Sequence, residues 1–509
     1  MGAGIAFVAA RAGFDVELIE PDAVTRARAS ERVRKEAQRA GVPEAAGRIA
    51  ILAALPAASS AQIAIEAVSE QIDLKRAVFR QLEKLLPAPA VLATNTSSLC
   101  VEAIAGSIPS SERVVGLHFF NPPSSMELVE IVRAPGADDT TLDRAAEFVR
   151  AIGKTAVLTS DTPGFIVNRI ARPFYLQALH ALEAEIAPVA ELDALARAAG
   201  FRMGPFELMD LIGLDINLAT TQSIYQRTGA ARLAPVALQA SMVAANRLGR
   251  KTNAGFYDYA AGVPARVPAG AAKLWERDDG ERVIVIGFGG AALELQERLA
   301  SAFSHVDSIE NDDLLDELPM NATIVFDTGD GVSDRTDIIR QLDTCLPLET
   351  VIFVDAYATA MELLWKKLAH PERVVGYGIL GSLEGQETVE IVDGASGDDA
   401  LELAQEVFER IGKRVALVGS GPGLFLGRVV CSIINEAVCA VGEGVASADD
   451  VDLAMRLGTN YPIGPVAWGR EIGGTRVTHI LRRLAAREGN QYEPNRALWI
   501  LDAEVEPVA

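Results

Sequence analysis

The sequence predicts an α/β domain followed by an all-α domain, with the pair written twice in one chain and the second copy degenerate. Three observations carry that expectation. ERVVG at 112–116 recurs at 372–376, an offset of 260, and VEIV at 129–132, IGK at 152–154, PG at 163–164 and GP at 204–205 recur in the same order at offsets of 259 or 260. Solenoid repeats run about 20 to 50 residues, so a period this long duplicates whole domains. Within each half the front alternates short Val/Ile/Ala runs with helical patterns, and the back reads as helix after helix, which describes a parallel α/β domain and then a helical one. Finally, AAGVPARVPAGAAKLWERDDG at 260–280 mixes Pro, Gly, Ala and charge without periodicity, as a linker does. The expected parts are therefore 1–160 (α/β), 161–260 (helical), 261–281 (linker), 282–418 (second α/β) and 419–509 (second helical).

Composition narrows the function. The 509 residues are 49% hydrophobic and 23% charged, too apolar for a disordered chain. Lys and Arg total 47 against 69 Asp and Glu, and the net charge of −22 argues against a nucleic-acid partner. Cys100, Cys345, Cys431 and Cys439 form no CxxC pair, which favours a reducing, cytoplasmic setting, and no metal site is expected. No run of 18 apolar residues occurs and the apolar start lacks a basic leader, so neither a membrane span nor a secretory signal is expected.

From the N-terminus, a helix over 2–12 leads to a strand, VELI at 16–19, that ends in Glu20. That is the later part of a dinucleotide-binding βαβ unit, in which an acidic residue holds the ribose hydroxyls and repels a 2′-phosphate, favouring NAD over NADP. Gly2 stands where the third fingerprint glycine is expected to let the helix pack closely. The preceding strand and first two glycines would lie upstream, so Met1 is expected to be a misplaced start, with about a dozen more residues ending in Gly-x-Gly. The basic, amphipathic stretch at 25–41 has no counterpart in the second half. There, RVIVIGFGGAALEL places a strand at 283–286 before Gly287 and Gly289, with Ala292 third. This GxGxxA turn, typical of a Rossmann-like domain, reads as retained scaffold whose cofactor is gone, because SIEND at 308–312 matches a ribose acid only loosely.

The reacting centre is written in LHFFNPPSSMELVEIV at 117–132. His118 ends one strand and Glu130 lies on the next, and imidazole beside a carboxylate is the usual apparatus for removing a hydroxyl proton near neutral pH. The internal copy is a control. His118 becomes Gly378, Ser97 becomes Tyr357, Asn95 becomes Asp355 and Asn168 becomes Gly427, while Glu130 survives as Glu390. The polar centre dissolves while the scaffold is kept.

NTSSL at 95–99, GLHFFNP at 116–122, DTPGFIVNR at 161–169, MGPFELMDLIG at 203–213 and GRKTNAGFYDY at 249–259 resemble the L-3-hydroxyacyl-CoA dehydrogenase family. MRLGTNYPIGPVAWG at 455–469 resembles, more narrowly, the two-copy bacterial members that act on 3-hydroxybutyryl- or 3-hydroxyadipyl-CoA in phenylacetate breakdown. The resemblance implies NAD-dependent oxidation of a (3S)-3-hydroxyacyl-CoA to the 3-oxoacyl-CoA, in fatty-acid or aromatic degradation. It puts the general base on His118, oriented by Glu130, with Ser97 and Asn168 holding the reacting oxygens. It implies cofactor contacts at Gly2, Glu20, Glu70, Lys75, Asn95 and Ser97, and a helical hairpin over the basic stretch that contacts CoA phosphates. Arg28, Arg32 and Lys35 share one face there, and Arg32 and Lys35 are expected at the substrate. Single-copy members pair through their helical domains, so the tail over 421–473 is expected to act as an internal pseudo-dimer partner, compatible with further homo-oligomerisation. The competing reading, a binding or scaffolding protein on the same fold, is suggested by the incomplete turn and the degenerate copy.

Overall fold

The computed structural model describes residues 1–266, 278–310, 318–319, 321–329 and 331–502. The middle of the expected linker, the Asn311–Asp312 end of SIEND and the last seven residues of the expected second helical domain lie outside the described residues. The chain forms two compact units, one of Met1–Ile170 with Ala440–Asn460, the other of Ala171–Cys439 with Tyr461–Ala509.

In the first unit the helix Gly2–Arg11 precedes β1 (Val16–Ile19), and β2 (Ile49–Leu52) pairs with β1 in a separate two-stranded parallel sheet. β3 (Ile63–Glu66), β4 (Val91–Thr94), β5 (Val114–Phe119), β6 (Leu128–Arg133) and β7 (Thr155–Ser160) follow in that order in a five-stranded sheet. Helices cover both faces, so the central strands bury every residue and read as unbroken apolar runs. Leu142, Ala145 and Val149 form the buried stripe of helix Asp139–Ala151, whose first turn is capped by Asp138, accepting from Thr141 N at 2.6 Å. The sheet is not wholly parallel, as the repeat pattern suggested. β6 runs antiparallel to β5, because the 120–127 connection is too short to carry a crossover.

The basic stretch is one helix, Ala23–Arg39, capped by Asp22, followed by a 3-10 turn at Pro43–Arg48, rather than the expected helical hairpin. Gly41, at φ +70°, ends it, and Pro43 starts the short turn that feeds β2.

The second unit repeats the design in one continuous sheet. β8 (Asp278–Gly287), β9 (Phe303–Ile309), β10 (Ile324–Gly329), β11 (Val351–Asp355), β12 (Val374–Gly378), β13 (Thr388–Asp393) and β14 (Arg414–Gly419) take the order β14-β13-β12-β11-β10-β8-β9. β8 reaches back into the stretch expected to be linker. It lies between β10 and β9, whereas in the first unit β1 and β3, the counterparts of β9 and β10, are not paired. A groove of about 2100 Å³ runs along them, lined by Leu18, Glu20, Ile63, Ile65 and Ala67 among others. Among the described residues no helix is long and apolar enough to cross a membrane.

Candidate active site

The antiparallel register of β5 and β6 sets His118 directly opposite Glu130. The ring Nδ1 stands 2.6 Å from Glu130 Oε2, with the histidine 6% and the glutamate 0% exposed. Phe120 and Phe165 flank the imidazole, their ring centroids 4.6 and 5.7 Å away. An ionised carboxylate only accepts, so Nδ1 carries the proton of this contact and Nε2 keeps its lone pair. Glu130 Oε1 accepts from the backbone N–H groups of Ile166 and Val167 at 3.0 and 2.9 Å. These donors are aimed by the turn of TPGF, where Phe165 adopts φ +50° just before the helix Val167–Ile170. The carboxylate therefore has partners for both oxygens, which a buried charge requires.

The other expected residues fall into two groups. Ser97 is exposed on the loop after β4, and Asn168 Nδ2 reaches its carbonyl at 3.4 Å, so the structure brings these two together. Asn95 Oδ1 accepts from Phe119 N at 2.8 Å, tying that loop to the strand that carries His118. Glu20 lines the groove, where its Oε1 accepts from Asp22 N at 3.0 Å. Arg28 and Arg32 line it too, while Lys35 turns to Glu31 at 2.6 Å and Arg32 also pairs with Glu36 at 2.8 Å. Close packing does not fall on Gly2, where a Cβ would meet Ala67 and Leu18 at an ordinary 3.8 Å; it falls on Gly4, 3.1 Å from Pro123. Glu70 and Lys75 do not simply face the groove. Lys75 is 1% exposed and its ammonium lies between Glu66 and Glu70. Glu66 was not singled out in the sequence, although its acidic counterpart Asp327 in the second copy is a signal that points to it.

The groove suits a dinucleotide. It runs the length of β1 and β3, and at their C-terminal ends it meets the start of a helix and an acidic side chain at the tip of β1, which is the part placed to hold a dinucleotide. Its volume exceeds the about 300–1,000 Å³ of ordinary ligand pockets because it takes in the opening between β1 and β3.

The second copy shows how such a centre is lost. Tyr357 is fully buried and donates to Glu390 Oε2 at 2.5 Å, while Phe425 N donates to Oε1 at 2.8 Å. A Cβ on Gly378 would stand 3.1 Å from the Tyr357 ring, and one on Gly427 would stand 2.8 Å from it. The Tyr357 ring thus crowds both positions, with Leu424 Cδ1 nearer still to Gly378 at 2.8 Å, and neither has room for a side chain. Arg476, on helix Gly474–Glu488, pairs with Asp355 at 2.8 Å and donates to the Gly331 and Ile379 carbonyls, while Arg483 donates to the Ala356 and Tyr357 carbonyls. The first copy has Ile216 and Ser223 at the matching positions. Gly287, at φ +136°, is needed for packing, since a Cβ there would lie 2.1 Å from Thr328 Oγ1.

Burial pushes the Glu390 carboxyl up to about 7, against the hydrogen bonds from Tyr357, Phe425 and Leu426. A folded carboxyl that titrates near 7 instead of 4.5 binds its proton more tightly than the unfolded chain does. Stability therefore falls as pH rises through that window, by about 3 kcal/mol at its top. Glu390→Gln is expected to melt higher relative to the parent at about pH 8 than at about pH 5, with turnover within about twofold. NADH titration should find one equivalent per chain. A halved kcat in the folded variant would make the second half a working site.

Residues 1–162 match the NAD-binding domain of 3-hydroxyacyl-CoA dehydrogenase, and 164–259 and 423–504 match its C-terminal domain. The double match accords with the repeat. The 3-hydroxyadipyl-CoA dehydrogenase of Escherichia coli (strain K12) is 35% identical over 506 residues, covering 97% of this chain and 94% of its own length. The mitochondrial hydroxyacyl-coenzyme A dehydrogenase of Sus scrofa is 36% identical over 276 residues, 51% of this chain and 88% of its own length. A crystal structure of 3-hydroxybutyryl-CoA dehydrogenase from Escherichia coli K12 superposes with a TM-score of 0.74 at 32% identity, covering 98% of this chain and 95% of that one.

Proposed function

The chain belongs to the 3-hydroxyacyl-CoA dehydrogenase family, and from that premise we propose that its first half oxidises a short or dicarboxylic (3S)-3-hydroxyacyl-CoA with His118 as general base. The observation that supports this most is the His118–Glu130 pair, opposed across β5 and β6 at 2.6 Å with Glu130 anchored on two backbone N–H groups. His118 Nε2 accepts the proton of the 3-hydroxyl, and Glu130 holds the ring and stabilises imidazolium. NAD supplies the hydride acceptor when bound. Ser97 and Asn168 position the oxygens around C3, and Glu20 favours NAD over its 2′-phosphorylated form. None of the four cysteines is in a disulfide, which suits the cytoplasm, and a 3-hydroxyacyl-CoA substrate would place the reaction in fatty-acid or aromatic degradation.

The helical segments also support an internal pseudo-dimer. Ser160 N donates to Val445 O at 2.9 Å, and at an offset of 259 for both partners Gly419 N donates to Ile186 O at 2.7 Å. Reciprocal contacts of this kind mark an isologous interface.

The test follows NADH loss with acetoacetyl-CoA, then compares rates on short, medium and dicarboxylic 3-hydroxyacyl-CoA substrates with NAD. Turnover of one of these classes at least about tenfold above the others identifies the acyl group. No turnover of any, with NADH bound, would leave the scaffolding reading.

A further inference from the structure

We infer that Glu66 is a positioning residue for the reaction, acting through Lys75 and Glu70 on the loop that carries Ser97; this rests on the dehydrogenase reading above. Lys75 lies on helix Ile72–Leu85, whose inner face is closed by Phe79 and Leu82. Its ammonium is 2.9 and 3.0 Å from the two oxygens of Glu66, at the tip of β3, and 3.2 Å from Glu70 Oε2. An ammonium this deep must be paired. Glu66 is itself fixed, accepting from Val68 N at 2.6 Å and from the Thr94 hydroxyl on β4 at 2.7 Å.

Two carboxylates thus share one ammonium, and Glu70 keeps a whole oxygen for other donors. Oε1 accepts from the Thr96 hydroxyl at 2.5 Å, Ser97 N at 3.0 Å, Ser98 N at 3.1 Å and the Ser98 hydroxyl at 3.0 Å. Burial opposes its ionisation, but the hydrogen bonds from this loop and the charge of Lys75 hold the Glu70 carboxyl below the ordinary glutamate range. The path runs from the β3 tip to Lys75, to Glu70, to the backbone of Ser97. With Glu66 neutral, Lys75 draws on Glu70 alone and pulls that carboxylate off the loop.

The second copy separates this role from mere architecture. Asp327 faces Val354 across β10 and β11 as Glu66 faces Thr94 across β3 and β4. It pairs with buried Arg335 at 2.7 Å. A buried carboxylate and cation at this strand tip therefore support the fold in both halves, and only in the first does the strand two places along, β5, carry a histidine, His118, where β12 has Gly378.

The experiment uses the full chain and compares Glu66→Gln with Asp327→Asn. Both are expected to lower the melting temperature. Only Glu66→Gln is expected to speed amide hydrogen exchange at 96–98, by about tenfold or more relative to β5, and to lower kcat by about tenfold or more while KM for NADH moves less than about threefold. Glu66→Asp should recover part of both effects. Exchange at 96–98 that rises no more than elsewhere, or a kcat loss equal in the two variants, would overturn the inference. Should Glu66→Gln not fold, Thr94→Val removes one donor to Glu66, and with it the acceptor of Thr96 N at 3.3 Å, so the readout is taken at 97 and 98, where the same pattern is expected at smaller amplitude; unchanged exchange at 97 and 98 there would also overturn it. Failure of the wild type to oxidise NADH would count against the dehydrogenase reading alone, because the exchange comparison needs no turnover.

Discussion

His118→Gln is expected to lower kcat by about a hundredfold to ten-thousandfold while leaving NADH affinity within about threefold. Glutamine keeps a donor toward Glu130 but offers no basic nitrogen where Nε2 stands. The 3-hydroxyl proton then leaves to water, and the cost falls on the chemical step, not on cofactor capture. Glu130→Gln should lose less, because Nε2 remains. It is not silent, since the amide must serve the imidazole and the N–H groups of Ile166 and Val167 with one oxygen where the carboxylate had two. Steady-state kinetics with acetoacetyl-CoA and fluorescence titration of NADH measure the two quantities. A folded His118→Gln enzyme that retains more than about a tenth of wild-type kcat would remove the general-base assignment.

His118 could be named from the sequence because the two copies differ there while their scaffold agrees, a contrast internal to one chain; Glu130, kept as Glu390, was named only as its carboxylate partner. What the spacing of twelve residues did not contain was the direction of β6. Only its antiparallel run places His118 and Glu130 in register. Tyr357 illustrates a second limit. Read along the chain, Ser97 to Tyr357, His118 to Gly378 and Asn168 to Gly427 are three separate losses. In space they adjoin, since the tyrosine ring lies against both glycines, alongside Leu424 at Gly378. Lys75 shows a third. A lysine five residues after an acid on a helix start looks solvated, and its burial depends on Glu66, which enters from a strand nine residues earlier. Periodicity reports which face of an element is apolar, and it does not report which buried charge meets which. The basic helix was legible, because Arg28, Arg32 and Lys35 do share a face, but the end of that helix depended on Gly41 and Pro43.

Removing residues 282–509 is expected to make the remaining chain insoluble or to drive it into dimers. In the first unit the helix Ala448–Thr459 packs on β6, β7 and the helix Val167–Ile170. It approaches so closely that a Cβ on Gly458 would stand 2.9 Å from both Leu128 and Val167. Arg169, only 3% exposed in its side chain, pairs with Glu443 at 2.7 Å. In the second unit Phe201 packs its ring against Tyr461 and Trp468, at centroid distances of 5.0 and 5.7 Å, and Arg232 meets buried Glu436 at 2.5 Å. Each large apolar side chain uncovered forfeits about 1.5 to 3 kcal/mol, so a few of them rival the about 5 to 15 kcal/mol that holds a typical domain together. Arg169 and Arg232, deprived of Glu443 and Glu436, are no substitute for that cover. On the pseudo-dimer reading the exposed surface is self-complementary, so two truncated chains are expected to restore the contacts by pairing with each other. Light scattering and thermal melting of the truncated chain test this directly. A truncated chain that stays monomeric, soluble and as heat-stable as the full one would show that the second half does not act as the internal partner of the first.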